Sequence, residues 1–182
     1  MGTFFSPPPP FKIIMTGIDS NVEDLPYYVS SNIKETMVQI GMTVKTFTYK
    51  NLLINNWFRD RISDKKVMKF GTGKQYFENN NGLIFSIDAS DEERLDWYDE
   101  SQRKIFEDIL IDDDYKGVPI LIIANKQEKE NAISSSQICE KWKLNEIIKD
   151  RKWKIIGVRS NSKEDIMKAL DWMNEQMVFK EE

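Results

Sequence analysis

The 182-residue chain contains no histidine and a single cysteine, Cys139. Without histidine, the commonest zinc ligand and general base is missing, so metal-hydrolase and Ser-His triad chemistries are excluded as first expectations. One cysteine allows no internal disulfide. No apolar run approaches the roughly 18 residues of a membrane-spanning helix, and no basic segment followed by an apolar core marks a secretory signal. Nor does either sign of charge dominate: 26 basic and 30 acidic residues give a net charge of -4. That balance argues against an electrostatic nucleic-acid surface. The expected protein is cytosolic.

What is present is one domain's worth of chain with 40% hydrophobic residues, too short for two ordinary domains. Residues 1–10 form an N-terminal extension ending in a Pro7 to Pro10 run, a stiff polyproline II spacer. Its start, MGTFFS, fits the pattern in which Gly2 is myristoylated after removal of Met1, with Ser6 as the favoured hydroxyl. Phe4 and Phe5 would help such a chain enter a bilayer, with marginal, reversible binding. An ordinary unmodified leader to the spacer explains the same residues, and both readings stand.

From residue 11 onward, short β-rich runs alternate with helical patterns. FKIIMTG, GLIFSIDA, VPILIIAN and WKIIGVRS read as strands, and TVKTFTYKNLLINNWF as two strands joined at Tyr49-Lys50-Asn51. The continuous apolar character of GLIF and PILII suits central parallel strands covered on both faces. Residues 92–111 carry Leu95, Tyr98, Ile105 and Ile109 at helical spacing, and residues 163–178 carry Ile166, Leu170, Met173 and Met177 on one stripe. Ser162 with Asp165 has the form of a capping box at the start of that last helix. The expected fold is a doubly wound α/β sheet, six-stranded and mostly parallel, with one antiparallel hairpin at its edge. Ligands in such sheets lie beyond the carboxyl ends of the strands, here Gly17, Asp88, Asn125 and Ser160. The charged, glycine-bearing segment 59–81 breaks the pattern and reads as a loop or irregular helix on the ligand side.

ANKQE, residues 124–128, follows directly from a buried strand. Strand ends of the form NKxD read guanine in small GTPases, the Asp accepting from two N–H donors of the base while the Lys stem packs along the ring. Together with YFENNNGLIFSIDASDEER (76–94), GMTVKTFTYKN (41–51), FKIIMTGIDS and KWKIIGVRSNSKEDIMKALDWM, this order and spacing resembles the Arf family of small GTPases, from Phe11 to Met177. The resemblance implies a Ras-like P-loop NTPase fold over residues 11–182. It also implies a guanine-nucleotide site, expected here as a vestige whose residues persist as strand-end packing, in which Gly17 and Asp19 open the phosphate loop and Asn125, Lys126 and Glu128 flank the base. Ser160 stands where the family offers a backbone N–H to the guanine oxygen.

The departures from the family lie on the phosphate side. The usual phosphate loop places a lysine on the β/γ-phosphates and a hydroxyl on magnesium; those positions hold Glu23 and Asp24. The magnesium-binding threonine of the first switch falls on Gln39, and WFRDRI stands at the WDxGGQ of the second, with Ile62 at the catalytic glutamine. Glu128 replaces the family's Asp, its extra methylene displacing the carboxylate. Exchanging Lys for Glu turns one attraction into one repulsion, each about 4 kcal/mol per charge pair at 4 Å and an effective dielectric near 20. Hydrolysis in such proteins rests on positioning plus neutralisation by Lys, Mg²⁺ and a water-orienting Gln. The expectation is therefore an Arf-like pseudo-GTPase: not an enzyme, with no catalytic residue, no metal and no nucleotide cofactor. It would act as a protein-binding or structural subunit of a larger assembly, including an organellar or membrane-associated one. The alternative is a divergent guanine-nucleotide-binding Arf-like GTPase of membrane trafficking, N-myristoylated at Gly2 and peripheral to membranes. It would hold GTP or GDP weakly or without magnesium through Asp19, Ser20, Gln39 and water.

The aromatics and the acidic run are less informative. Trp142, Trp153 and Trp172 are expected to pack helices onto the sheet. Trp57, Phe47 and Tyr49 suit either core packing or an exposed partner surface. The acidic run at 112–114 reads as a solvated helix end, since calcium loops need spaced oxygen ligands and a glycine.

Overall fold

The computed structural model describes residues 10–17, 25–39, 42–59, 79–91, 95, 103–111 and 113–177. Seven strands form one sheet in the order β2-β3-β4-β1-β5-β6-β7. They are β1 Phe11–Gly17, β2 Ile33–Gln39, β3 Met42–Tyr49, β4 Leu52–Arg59, β5 Gly82–Asp88, β6 Ile120–Asn125 and β7 Trp153–Gly157. From β4 through β7 every pairing is parallel, and β2 and β3 add two antiparallel pairings at one edge.

Six strands were expected and seven are found. The additional one, β2, reads IKETMVQ and carries Lys34 and Glu35 in its first half. A strand of this polarity is suited to a sheet edge, where charged side chains guard against pairing with another chain, and it lacks the apolar run that marks a central strand. The β3–β4 hairpin turns at Lys50 and Asn51, as the residue pattern implied, with Lys50 at φ 51°.

Helices α1 Leu25–Val29 and α5 Lys163–Glu175 cover one face of the sheet, and α2 Arg103–Leu110, α3 Ser135–Lys141 and α4 Leu144–Ile147 cover the other. A 3₁₀ turn spans Asp113–Tyr115. On the α1/α5 face, Ile13, Met15, Ile84, Leu121 and Ile123 pack against Leu25, Ile166, Leu170 and Met173. On the opposite face, Ile14, Phe85, Ile87 and Ile122 meet Phe106, Ile138 and Leu144. Because alternate residues of β1, β5 and β6 serve the two cores, these strands read as unbroken apolar runs.

Trp142 is buried and Trp153 packs against the same core, while Trp172 lies against the other. Trp57, Phe47 and Tyr49 are buried, at 3%, 1% and 7% exposure. They are core residues and not an exposed aromatic surface.

Helix α3 went unread in the sequence, although Ser134 and Gln137 form a complete capping box: each side chain bonds the other's backbone N–H. The anticipated helix over 92–111 is described at Leu95 and across Arg103–Leu110, with Ile111 in the turn that follows; residues 92–94 and 96–102 lie outside the described residues.

Candidate functional site: the carboxyl ends of the strands

The parallel strands β1, β5 and β6 end side by side, in register Gly17 with Ser86 and Asp88 with Asn125. Gly17 is fixed by steric necessity. A Cβ there would lie 2.1 Å from the Ser86 carbonyl oxygen and 2.7 Å from its nitrogen. Only glycine permits this approach of β1 to β5, which sets the point from which the next loop departs.

The loops after β5, β6 and β7 are tied together by backbone bonds. Ala89 N–H donates to the Asn125 carbonyl, Gln127 N–H to Val158, and Ile133 N–H to Ala89. The Asn131 amide donates to the Ser90 carbonyl at 2.7 Å, and the Gln127 amide to Ile133 at 3.0 Å. Each loop thus satisfies the polar backbone of another.

Within this frame Asn125 is buried at 5% exposure, and Lys126 adopts the left-handed conformation at φ 64°. Lys126 Nζ donates to Asp88 Oδ2 at 2.5 Å, while Asp88 Oδ1 accepts from the Ser90 N–H at 3.0 Å and hydroxyl at 2.7 Å. Burial pushes the Asp88 carboxyl upward, but these bonds from Lys126 and Ser90 outweigh it and hold the group below its ordinary value. Asp88 was noticed in the sequence only as a strand end. Its pairing with Lys126 requires β5 and β6 to be neighbours, a fact of topology.

Glu128 and Ser160 are also joined. The Ser160 N–H donates to Glu128 Oε2 at 3.0 Å, and its hydroxyl to Oε1 at 2.5 Å. Burial again acts upward on the Glu128 carboxyl and is outweighed by these Ser160 bonds, so the group stays ionised at lower pH than usual. One residue before Ser160, Arg159 holds Asp165 through two guanidinium bonds at 2.6 and 2.9 Å.

The structure therefore brings together Gly17, Asn125, Lys126, Glu128 and Ser160 at one end of the sheet. Asp19, Ser20, Glu23, Asp24, Ile62 and the lipidation candidate Gly2 lie outside the described residues; the backbone of Gln39 ends β2. Among the described residues no cluster of acidic, His or Cys side chains is arranged to hold a metal ion.

A doubly wound sheet with this strand order and an Asn-Lys-Gln-Glu loop after β6 has the α/β architecture of the small-GTPase class. Comparison with known proteins narrows the class. The model of the ADP-ribosylation factor family matches residues 5–177. ADP-ribosylation factors K and J of Dictyostelium discoideum are each 32% identical over 164 residues, covering 89% of this chain and 82% of theirs. The solved structure of the Arl6 BBS3 small GTPase from Trypanosoma brucei, with bound nucleotide analogue GppNp, superposes with a TM-score of 0.70. At 21% identity it covers 91% of this chain and 95% of its own, and it establishes the fold. The chain belongs to the ADP-ribosylation factor family.

Membership corrects two expectations, that the chain is an inactive GTPase homologue and that it uses no nucleotide cofactor. The family consists of GTPases that bind GTP or GDP with Mg²⁺ and hydrolyse GTP. The expectation of inactivity rested on the residue types at 23, 24, 39 and 62; positions 23, 24 and 62 lie outside the described residues, so no geometry stands behind it to weigh against a family match over residues 5–177.

Proposed function

We propose that this protein is a divergent guanine-nucleotide-binding GTPase of the ADP-ribosylation factor family, binding GDP and GTP with Mg²⁺ and hydrolysing GTP. The observation that carries the reading is the family match across residues 5–177, supported by the assembled base-side loops. Lys126 provides a stem to lie along the base, Ser160 a backbone N–H for its oxygen, and Glu128 a carboxylate for its N–H edge. Gly17 gives the close approach of β1 to β5 that a phosphate loop departs from. Asp19 and Asp24 carry hard oxygen donors of the kind Mg²⁺ takes, so the donor chemistry at these positions fits a divalent cation even where the usual hydroxyl is missing.

Protein effectors and membranes are the natural partners of the family. No helix among the described residues is long and apolar enough to cross a membrane. A myristoyl group on Gly2 would supply reversible peripheral attachment, suited to trafficking. Membership of a multi-subunit assembly is a compatible second role.

Acid extraction of the natively purified protein, followed by chromatography of the released bases, tests the reading. Near-stoichiometric GDP or GTP is expected, with phosphate release when GTP and Mg²⁺ are supplied. Protein free of nucleotide that also fails to take up a fluorescent GDP analogue, with or without Mg²⁺, would sink it. Intact mass settles the lipid: loss of Met1 with gain of one myristoyl group is the expected result.

A further inference from the structure

Glu128 and Ser160 occupy opposite ends of the base-reading set, one the acceptor for the N–H edge of guanine and the other the donor for its oxygen, and here they satisfy each other. Both carboxylate oxygens are turned to the same residue, at 3.0 Å to the Ser160 N–H and 2.5 Å to its hydroxyl. A backbone N–H is a single donor. As long as it serves Glu128 Oε2, the base oxygen has no claim on it. The glutamate's length brings the contact about, since an aspartate's carboxylate stops one methylene short.

We infer that the Glu128–Ser160 contact is a latch that sets base selectivity, closing the guanine-reading groups on each other and lowering the preference for guanine over purines lacking its 2-amino group. The inference rests on the proposed nucleotide binding. Guanine and hypoxanthine both present the base oxygen and the N1–H, so the latch weakens those contacts for both; they differ in the 2-amino group, whose acceptor carboxylate is already engaged by Ser160. The 2-amino group then contributes little. A loop-bracing role alone is the competing account of the same bonds; it predicts that weakening them harms every nucleotide equally.

Competition of GDP and IDP against a fluorescent GDP analogue on the nucleotide-stripped full chain separates the two. The wild type should prefer GDP by less than about tenfold. Glu128→Asp should raise that preference to roughly 10- to 100-fold, the range of one hydrogen bond to a charged group, chiefly by tightening GDP. Ser160→Ala, which keeps the N–H and removes the hydroxyl, should move the ratio the same way by a smaller factor, and serves as the test if the first variant folds poorly. A wild type that already prefers GDP more than about a hundredfold, or variants that weaken GDP and IDP alike, would overturn the latch while leaving nucleotide binding intact. No binding of either nucleotide by any of the three overturns the nucleotide reading itself, and the latch with it.

Discussion

Lys126 Nζ and Asp88 Oδ2 meet at 2.5 Å, each side chain only 12% exposed, and join the carboxyl ends of β6 and β5. Because Lys126 sits at φ 64°, a backbone region that costs an L-residue about 1–2 kcal/mol, the contact also holds a strained strand end in place. The same ionised carboxylate organises Ser90, so one buried group fixes two of the loops that frame the site.

Removing one partner of this pair leaves the other charged and largely dry. Asp88→Ala should cost about 3 kcal/mol, lowering the midpoint of thermal unfolding by roughly 6–12 °C. Combining it with Lys126→Met should restore part of that loss, since the stranded charge is gone. Calorimetry of the two variants checks this; a double variant no more stable than the single would place the cost in the Ser90 bonds.

Glycine serves different ends at 17 and 117. Gly17→Ala drives a Cβ to 2.1 Å from backbone that cannot yield, so a loss above about 3 kcal/mol is expected, together with loss of nucleotide. Gly117 has φ +74°, and a Cβ added there would meet nothing within 4 Å, so Gly117→Ala should cost only the left-handed strain, about 1–2 kcal/mol. Chemical denaturation of both should reproduce the order, and equal losses would contradict the close approach of β1 to β5.

The sequence made the parallel core legible because Ile13, Ile84, Phe85 and Ile122 lie in runs buried on both faces, and such runs have few other uses. It made Gly17, Asn125 and Lys126 legible as strand-end residues for the same reason. Strand β2 was illegible, since its apolar residues Ile33, Met37 and Val38 flank Lys34, Glu35 and Thr36 without an apolar run or strict alternation. The Asp88–Lys126 and Glu128–Ser160 contacts could not be read at all. Their members are 38 and 32 residues apart, and nothing in local patterning says which strands are neighbours. The expectation of an inactive, nucleotide-free protein was drawn from Glu23 and Asp24 by residue type alone, and residue type does not say where a side chain lies relative to a phosphate.

The cap of α5 offers a local test. Ser162 Oγ accepts from the Asp165 N–H at 3.2 Å, but the Ser162 N–H donates to the Arg159 carbonyl and the Asp165 carboxylate binds the Arg159 guanidinium and backbone N–H, so the reciprocal bond of a capping box is not made. Ser162→Ala should cost about 1 kcal/mol, or roughly 2–4 °C. The Arg159 hydrogen bond lowers the Asp165 carboxyl to about 2 from its ordinary 3.8. A depressed folded value means that this contribution is complete above the ordinary value and is lost as pH falls through about 2. Asp165→Asn should therefore flatten part of the stability profile between about pH 4 and pH 2. An unchanged acid limb in that variant would assign the acid sensitivity to other carboxylates, Asp88 foremost.

At the far end of the sheet, the Tyr49 hydroxyl donates to Asp171 Oδ1 at 2.7 Å and Lys50 Nζ reaches the same oxygen at 2.5 Å. The β3–β4 turn is thereby fastened to α5, with the Asn51 N–H donating to the Asn174 side chain at 3.4 Å. Burial, then the bond to Asp171 and its negative charge, push the Tyr49 hydroxyl up to about 12 from 10.0. Here the sign is opposite to that of Asp165. The neutral phenol is the form the fold favours, so the contribution is intact below pH 10 and is lost as pH rises through about 12. Tyr49→Phe keeps the buried ring and deletes the hydrogen bond. It should cost about 1 kcal/mol near neutral pH and remove the alkaline fall in stability that the phenol causes. Asp171→Asn should instead retain a titrating phenol but bring its value down toward 10, because the charge that opposed ionisation is gone. Spectrophotometric titration of the phenolate absorbance distinguishes the two variants directly, and an Asp171→Asn protein with an unshifted high-pH phenol would assign the perturbation to burial alone.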